Sequence, residues 1–453
     1  MPMRALNRGG LSVLRDAVRS QLWPIPAIGI ALAAIFGVLL PRLDASIDDN
    51  LPPTVTAYLF GGGAAAARAV LEAVAGSLIT VTSLTFSLTV VTLQLASSQF
   101  SPRLLRTFSS DRFVQGTLAL FLGTFTYALT VLRTVRTPAD GQDLFVPQIS
   151  VTLAFLLAVT SVFGLVIFLA HLAKEIRVET MLATVHQDAA ATLQRALTEP
   201  DPDQAPTDLP EPPPHRVPLF APSSGFLVWI DEPVLLAAAR AADAVLIIDR
   251  QPGGSLVAGT PVGVCWPLHG HLFDTDTLQH LRDQTGSAIH TGPERTPVQD
   301  VGFGLRQLTD VTTKALSPGI NDPTTAIHAL GHSSALLGEM AGRDLGPLLL
   351  RDDDHMVRVI LHRPSFADLL DLAIAQPRRY GAADPAVLTR LYWLLREIAW
   401  VTTVPDQHRV ITGQLSRLEA TTNAQNFDPT ERAALTQLAN QVTQALNGHW
   451  PEH

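Results

Sequence analysis

Hydrophobic and polar positions divide the chain into an apolar first third and a mixed remainder. Four long apolar runs lie in the first part, and each reaches the roughly 20 residues that a helix needs to cross a hydrocarbon core. These runs cover residues 22–40, 73–102, 113–132 and 146–173. Short polar loops separate them, which is untypical of buried helices in a soluble domain. We therefore predict an α-helical membrane domain with four transmembrane helices over residues 22–174, preceded by a short N-terminal segment, 1–21.

Positive charges are distributed unevenly around these runs. Nine arginines and lysines lie before the first run, between the second and third, and after the fourth, against four in the opposite loops. Short cytoplasmic loops of membrane proteins carry an excess of such residues. We therefore predict a multi-pass protein of a bacterial inner membrane, with both termini and everything after residue 175 in the cytoplasm.

The second run carries a hydroxyl or an amide at nearly every second position. At helical spacing, apolar residues from Val81 to Leu95 form one stripe, and threonines form a second stripe that is polar. Two interpretations stay open: the polar stripe packs against neighbouring helices, or it lines a wet path for ions or small polar solutes. The pore-lining candidates are Thr82, Thr85, Thr89, Thr92, Ser83, Ser87 and Gln94.

An arginine-rich segment follows the second run. Ser101 is suited to a helix N-cap, and Pro102 to the first helical position. The candidates for binding lipid headgroups are Arg103, Arg106 and Arg112. The alternative is that these arginines attract anions to a vestibule.

The remainder predicts a cytoplasmic α+β region. Residues 175–198 predict a helical extension of the fourth span, and the proline-rich acidic stretch 199–215 predicts a stiff linker. Short apolar runs between Gly and Pro turns predict a small β-rich module over 216–294, which resembles barrel-sandwich modules. Longer periodic stretches predict a helical domain over 295–453.

The stretch "DVTTKALSPGINDPTTA", residues 310–326, joins two predicted helices. The first helix has an apolar face and a polar face, and the polar one carries Asp300, Gly304, Gln307, Asp310 and Lys314. Pro318 and Gly319 fit a type II turn, where glycine tolerates a positive φ. Asp322 is placed to cap the next helix. The stretch is either a well-capped turn beside a solvated Asp310–Lys314 pair, or a site where both helices meet a ligand or a neighbouring subunit.

Composition excludes several classes of function. The net charge of −9 argues against nucleic acid as a partner, and a single cysteine, Cys265, excludes an intramolecular disulfide. There is no P-loop, no nucleophile elbow and no zinc-protease motif. His269 and His271 stand alone in sequence, and we assign them to an exposed loop. We therefore expect no enzyme, no cofactor and no metal site.

Two strings resemble a family of bacterial predicted membrane proteins known as domain of unknown function 2254. They are "TSLTFSLTVVTLQLASSQFSPRLLRTF" and "RTPVQDVGFGLRQLTDVTTKALSPGINDPTTA". The resemblance implies an integral membrane protein with a C-terminal cytoplasmic part, and it supplies no activity. The motif candidates are Arg295, Asp300, Arg306, Gln307, Asp310, Lys314, Asn321, Asp322 and Thr324.

Two functional hypotheses follow. In the first, several copies form a channel or permeation pathway around the second span, regulated by the cytoplasmic domain. In the second, the protein is a membrane-anchored sensor or scaffold whose cytoplasmic domain binds a small ligand or a protein partner near residues 295–325. Both hypotheses expect the lipid bilayer as a partner, and the first expects a homo-oligomer.

Overall fold

The structure is a computed structural model that describes residues 21–47, 58–99, 111–136, 145–175, 177–197, 209–269 and 272–450. The chain forms two compact units. One comprises residues 14–177, and the other is formed chiefly by residues 178–453. We refer to them as the N-terminal unit and the C-terminal unit.

The N-terminal unit contains four apolar helices among its described residues, and each is long enough to cross a membrane. They are α1 (Pro24–Ile47), α2 (Ala64–Gln99), α3 (Arg112–Leu132) and α4 (Gln148–Glu175). The four predicted apolar helices are thereby confirmed. Helix α3 is central, because its contacts with α1 and α2 are the most extensive in this unit and it also packs against α4. Large apolar side chains of α1, α2 and α4 point outward, including Phe36, Leu84 and Phe163, as expected for a surface that faces lipid.

Helices α1 and α3 approach closely through small residues. A Cβ atom added at Gly29 would lie 3.0 Å from the Ala119 Cβ, and one added at Gly37 would lie 2.7 Å from the Thr130 Cβ. Lipid tails are as apolar as leucine, so membrane helices associate largely through such close packing. The G-x-x-x-A-x-x-x-G spacing from Gly29 to Gly37 is the sequence signal for this contact.

The start of α4 is capped by a carboxylate from another helix. Asp44, near the end of α1, is only 4% exposed. Its Oδ1 accepts the Ile149 N–H at 3.0 Å, and its Oδ2 accepts both the backbone N–H and the hydroxyl of Ser150 at 2.9 and 2.6 Å. The Tyr127 hydroxyl of α3 donates to the Ser150 carbonyl at 3.2 Å. The bonds from the Ile149 and Ser150 N–H groups satisfy donors that a helix start leaves unpaired.

The C-terminal unit begins with a helix of its own. The predicted extension of the fourth span is a separate helix, α5 (Val178–Ala196), whereas α4 ends at Glu175. The buried side of α5 includes Met181, Val185 and Leu193. This side packs against two helices of the same unit, so the amphipathic pattern reflects docking within the C-terminal unit.

Two sheets form the β part of this unit. The strands are β1 (Val217–Phe220), β2 (Gly225–Ile230), β3 (Ala244–Ile248), β4 (Ser255–Leu256), β5 (Pro261–Pro267), β6 (Ile289–Gly292), β7 (Leu348–Arg351) and β8 (Val357–Leu361). One sheet has the order β1-β5-β3-β8-β7 and the other β4-β2-β6. Strand β3 pairs in parallel with β8 and antiparallel with β5.

This arrangement corrects the predicted division at residue 295. Strands β7 and β8 lie in the stretch predicted to be helical, and they complete the sheet begun by residues 217–267. The prediction failed because a short apolar run such as "VRVIL" has no periodicity of its own, and its parallel partner lies about 110 residues earlier in the chain. The strands also form two separate sheets, one mixed and one antiparallel, which is not the barrel-sandwich arrangement.

Eight further helices complete the described part of the unit. They are α6 (Glu232–Ala241), α7 (Thr275–Ala288), α8 (Phe303–Ala315), α9 (Pro323–Ala341), α10 (Phe366–Tyr380), α11 (Pro385–Val401), α12 (Pro405–Asn423) and α13 (Pro429–Leu446). Helices α6 and α7 pack with both sheets around one core that includes Leu235, Leu246 and Leu281. Helix α13 begins with a capping box formed by Asp428 and Glu431.

Candidate functional site

Helix α8 of the motif lies in the interior of the C-terminal unit. All of its residues are described, and none of them is exposed. It contacts α5, α9 and α10. Of the two interpretations left open for this stretch, the solvated face is not supported, since Gln307 is buried and Arg306, Asp310 and Lys314 are half-buried. The polar face of this helix is enclosed because helices pack on more than one side of it.

The turn between α8 and α9 differs from the predicted type II turn. The positive φ belongs to Asn321, at +50°, and Gly319 has no positive φ. Asn321 donates its N–H to the Ser317 carbonyl at 2.9 Å, and the Asp322 N–H reaches back to the Ala315 carbonyl at 2.8 Å. Asparagine tolerates the left-handed region better than most residues. Asn321 therefore supplies the positive φ that the prediction assigned to Gly319.

Asp322 caps α9 as predicted. Its carboxylate accepts the Thr325 N–H at 3.1 Å and also the Thr325 hydroxyl. These bonds lower the pKa of Asp322, because they stabilise its charged form. Thr324, in the first turn of α9, is exposed.

Arg295 and Asp300 form a buried ion pair before α8. The Nε and Nη2 atoms of Arg295 donate to Asp300 Oδ2 at 2.9 and 2.6 Å, and the Gly302 N–H donates to Oδ1 at 3.1 Å. Burial raises the pKa of the Asp300 carboxyl, and Arg295 acts against that rise. Gly253, with a φ of +86°, closes over the pair, since a Cβ there would lie 2.1 Å from Asp300 Oδ2. The Arg295–Asp300 ion pair is therefore a packed structural contact between the turn at residues 251–254 and the start of α8.

The motif candidates therefore fall into three groups. Arg295 and Asp300 are brought together by the structure, and Asn321, Asp322 and Thr324 form the turn and the start of α9. The remaining candidates, Arg306, Gln307, Asp310 and Lys314, are spread along α8. Seven of the nine candidates thus lie in the helix–turn–helix formed by α8 and α9, and Arg295 and Asp300 directly precede it.

Helix α5 packs against α8 at a point that sequence reasoning passed over. A Cβ atom added at Gly304 would lie 2.3 Å from the Ala189 Cβ. Beside this contact, His186 of α5 lies against His332 of α9, with ring centroids 5.3 Å apart. The available signal for the close approach was an isolated glycine, Gly304, inside a helical pattern. The histidine contact had no signal, because it joins residues far apart in the chain.

The pore-lining candidates divide between two sides of α2. Thr82, Thr85, Thr89 and Thr92 are buried. Each of these hydroxyls donates to the carbonyl four residues earlier, at 2.7–2.9 Å. Ser83, Ser87 and Gln94 are exposed on the outside of the unit. The buried threonine row favours the packing interpretation for these four residues.

The headgroup candidates are only partly described. Arg112 begins α3 and is exposed, whereas Arg103 and Arg106 lie outside the described residues. The preceding residue, Asp111, caps α3 by accepting the Phe113 N–H at 2.8 Å, and its other oxygen lies 2.6 Å from His171 Nε2 on α4. This cross-helix pair was not anticipated, since neither residue lies within the polar stripe.

The described residues contain no group of three or more His, Cys, Asp or Glu side chains that could hold a metal ion. His269 is exposed, as expected, but its Nδ1 lies 2.7 Å from the Asp243 carboxylate. This carboxylate lies 26 residues earlier in the chain, so the pair has no signal in the local sequence. His271 lies outside the residues that the structure describes.

A family model described as predicted membrane protein, domain of unknown function 2254, matches residues 19–397. The chain belongs to this family. It is similar to uncharacterised proteins of Mycobacterium bovis and of Mycobacterium tuberculosis strain H37Rv, each 35% identical over 453 residues, with 97% of this chain and 83% of the relative covered. An uncharacterised protein of M. tuberculosis strain CDC 1551 is 34% identical over 451 residues. No solved structure matches. The four apolar helices and the family together make this a membrane protein of a family whose function is unknown.

Proposed function

We propose that this membrane protein is a sensor in which helix α5 couples the state of the C-terminal unit to the fourth membrane helix. The observation that supports this is the docking of α5 on α8 and α9, where Gly304 leaves no room for a side chain beside Ala189. Helix α5 begins at Val178, and α4 ends at Glu175. A displacement of α5 therefore acts on a segment joined to α4 by only two residues.

The position of the family motif fits this role. Its residues form the interior helix α8, the turn at Asn321 and the capped start of α9. A small ligand or protein partner that altered the packing of this hairpin would alter the surface on which α5 rests. We assign the C-terminal unit to the cytoplasm of a bacterial cell, because arginine and lysine are concentrated in the segments on the same side of the predicted spans as this unit. The proposal includes no catalytic step.

The test is whether loosening α5 changes the membrane helices. A fluorescent bimane label on Thr160→Cys, an exposed position of α4, would report on its surroundings in full-length protein in nanodiscs, with Cys265 replaced by alanine. Gly304→Ala should shift the emission, because the added Cβ forces α5 away. The matched control is Gly338→Ala, where the nearest atom to an added Cβ is the Val401 Cγ2 at 3.7 Å. Equal emission in both variants would contradict the coupling.

A second candidate function is permeation between copies of the chain. It is favoured by the polar groups that α2 presents outward, since Ser83, Ser87 and Gln94 are exposed among apolar neighbours such as Leu84, which is 53% exposed. Polar and small residues on a lipid-facing side favour association of membrane helices. In a homo-oligomer these three residues, and not the buried threonine row, would line a path.

Ion flux into liposomes that contain the purified protein tests this candidate. Ser87→Leu should abolish flux, because it places an apolar side chain on the proposed path. Thr85→Val should leave flux unchanged, because the Thr85 hydroxyl is bonded to the Val81 carbonyl within its own helix. Absence of flux for all common ions in the unaltered protein, or loss of flux only in Thr85→Val, would contradict this second function.

A further inference from the structure

A small group of histidines lies at the contact between α5 and α9. His186 extends from α5, and His328 and His332 lie one turn apart on α9. The rings of His186 and His332 lie 5.3 Å apart at an interplanar angle of 55°. Both residues are half-buried, and the His186 side chain is 21% exposed. Two imidazoles thus face each other across the interface that the proposed function depends on.

The hydrogen bonding of the pair is incomplete. The Nδ1 atom of His186 is buried and has no hydrogen-bond partner. Its Nε2 lies 3.7 Å from Glu339 Oε1, which is longer than a normal hydrogen bond. A buried polar atom without a partner is uncommon in a folded protein. The contact therefore holds its histidines by packing and not by fixed hydrogen bonds, and a proton gained there changes the interaction directly.

Other charged groups lie on the helices around the pair. On α5 itself, burial raises the pKa of Asp188. On α9 itself, Glu339 offers His186 a partial counter-charge, whereas His328 adds a third imidazole. Helix α8, which packs against both α5 and α9, carries the half-buried Asp310 and Lys314. Helix α11 also packs against α9, and its Glu397 is held by Arg390 and by the Ser334 hydroxyl.

Protonation of His332 opposes docking. Burial lowers the pKa of His332, and His186 and His328 lower it further. A histidine whose pKa is lowered in the docked state binds its proton less readily there than in the released state. The docked state consequently loses stability as the pH falls below the ordinary histidine value of about 6.5. A proton gained by His332 places a positive charge against the His186 ring, whose centroid lies 5.3 Å away in a half-buried contact.

We propose that the His186–His332 contact is a proton-operated latch, which holds α5 on α9 at neutral pH and releases it in mildly acidic solution. This inference rests on the proposed function for its consequence, since release of α5 would be the event passed on to α4. The latch itself can be tested without reference to the membrane helices.

Thiol reactivity on α5 measures the release in the full-length protein. With Cys265 replaced by alanine, Thr192→Cys places a thiol at a buried position of α5, and Gln187→Cys places one at an exposed position of the same helix. The ratio of their labelling rates by a water-soluble maleimide cancels the effect of pH on the thiol. We expect the ratio to rise by up to about tenfold between pH 6.5 and pH 5.5.

Substitutions assign the effect to the latch. His332→Gln should remove the rise of the labelling ratio in mild acid. The ratio at pH 8 should stay unchanged in this variant, which shows that it is folded. The control His280→Gln, at an exposed position on α7, should behave like the unaltered protein. A ratio that stays constant with pH, or a rise that persists in His332→Gln, would overturn the latch. So would a response to zinc at constant pH that is reversed by a chelator, since it would assign the histidines to a metal.

Discussion

The contact between Gly304 and Ala189 yields the sharpest prediction. An alanine at position 304 would place its Cβ 2.3 Å from the Ala189 Cβ, whereas carbon atoms in contact normally lie about 3.5–4.0 Å apart. Helices α5 and α8 must separate to accept it. Overpacking of this kind costs about 1–3 kcal/mol, and the better helix propensity of alanine returns about 0.5–1 kcal/mol. Because an approach of 2.3 Å lies far inside normal contact, we take the upper part of the overpacking range, about 2–3 kcal/mol. The expected net loss is then about 1–2.5 kcal/mol, or a fall in Tm of roughly 2–10 °C.

The native cysteine provides the assay. Cys265 is the one cysteine of the chain and is buried in β5, where burial raises its pKa to about 11. A fluorogenic maleimide therefore reacts with it only when the C-terminal unit opens. A thermal ramp of the full-length protein in detergent reports the Tm of this unit without labelling the membrane helices.

Two controls make the prediction refutable. Gly413→Ala lies on α12, where an added Cβ meets nothing within 4 Å, so its Tm should stay level or rise slightly. The double variant Ala189→Gly with Gly304→Ala removes the colliding methyl group and should recover most of the lost stability, since contacting residues couple energetically. Equal Tm values for Gly304→Ala and Gly413→Ala, or no recovery in the double variant, would refute the reasoning.

Further predictions concern both units. Asp44→Ala leaves backbone N–H groups unpaired at the start of α4 and should destabilise the N-terminal unit by about 1–3 kcal/mol, seen as earlier loss of the monodisperse peak in size-exclusion chromatography after heating. Gly37→Ala should give a loss of about 1–3 kcal/mol in the same measurement, because α1 and α3 can no longer approach. Asp322→Ala should destabilise the C-terminal unit by about 1 kcal/mol, the usual cost of losing an N-cap, which is seen as a lower Tm in the Cys265 labelling assay. Thr325 lowers the pKa of Asp322, so the stability that the Asp322 cap contributes is present at neutral pH and is lost only as the pH falls below about 4. If the Tm difference between Asp322→Ala and the unaltered protein vanished near pH 6, this assignment would be contradicted.

Local signals in the sequence predicted the elements that depend on local physics. The four membrane helices followed from apolar length, and the cap at Asp322 followed from an acidic residue before a proline. The division of α2 into a polar and an apolar stripe was also readable, because it needs only helical periodicity. Which way the stripe points was not readable, since that depends on its neighbours.

Features set by distant partners were missed. Strand β8 reads as a short apolar run, and only its pairing with β3 makes it part of the sheet. The polar face of α8 suggested solvent, yet α5, α9 and α10 enclose the helix. The contact of His186 with His332 joins residues that share no local pattern. In each case the missing information was tertiary, and one sequence without such contacts does not contain it.

Release of α5 is proposed to alter the surroundings of α4, and one paired measurement tests this coupling. In the full-length protein in nanodiscs, the α5 labelling ratio from Thr192→Cys and Gln187→Cys and the bimane emission from Thr160→Cys would be followed over the same pH series. Both signals should change together, with a common midpoint that His332→Gln removes from both. Release of α5 with no change at position 160 would contradict the coupling while leaving the latch intact.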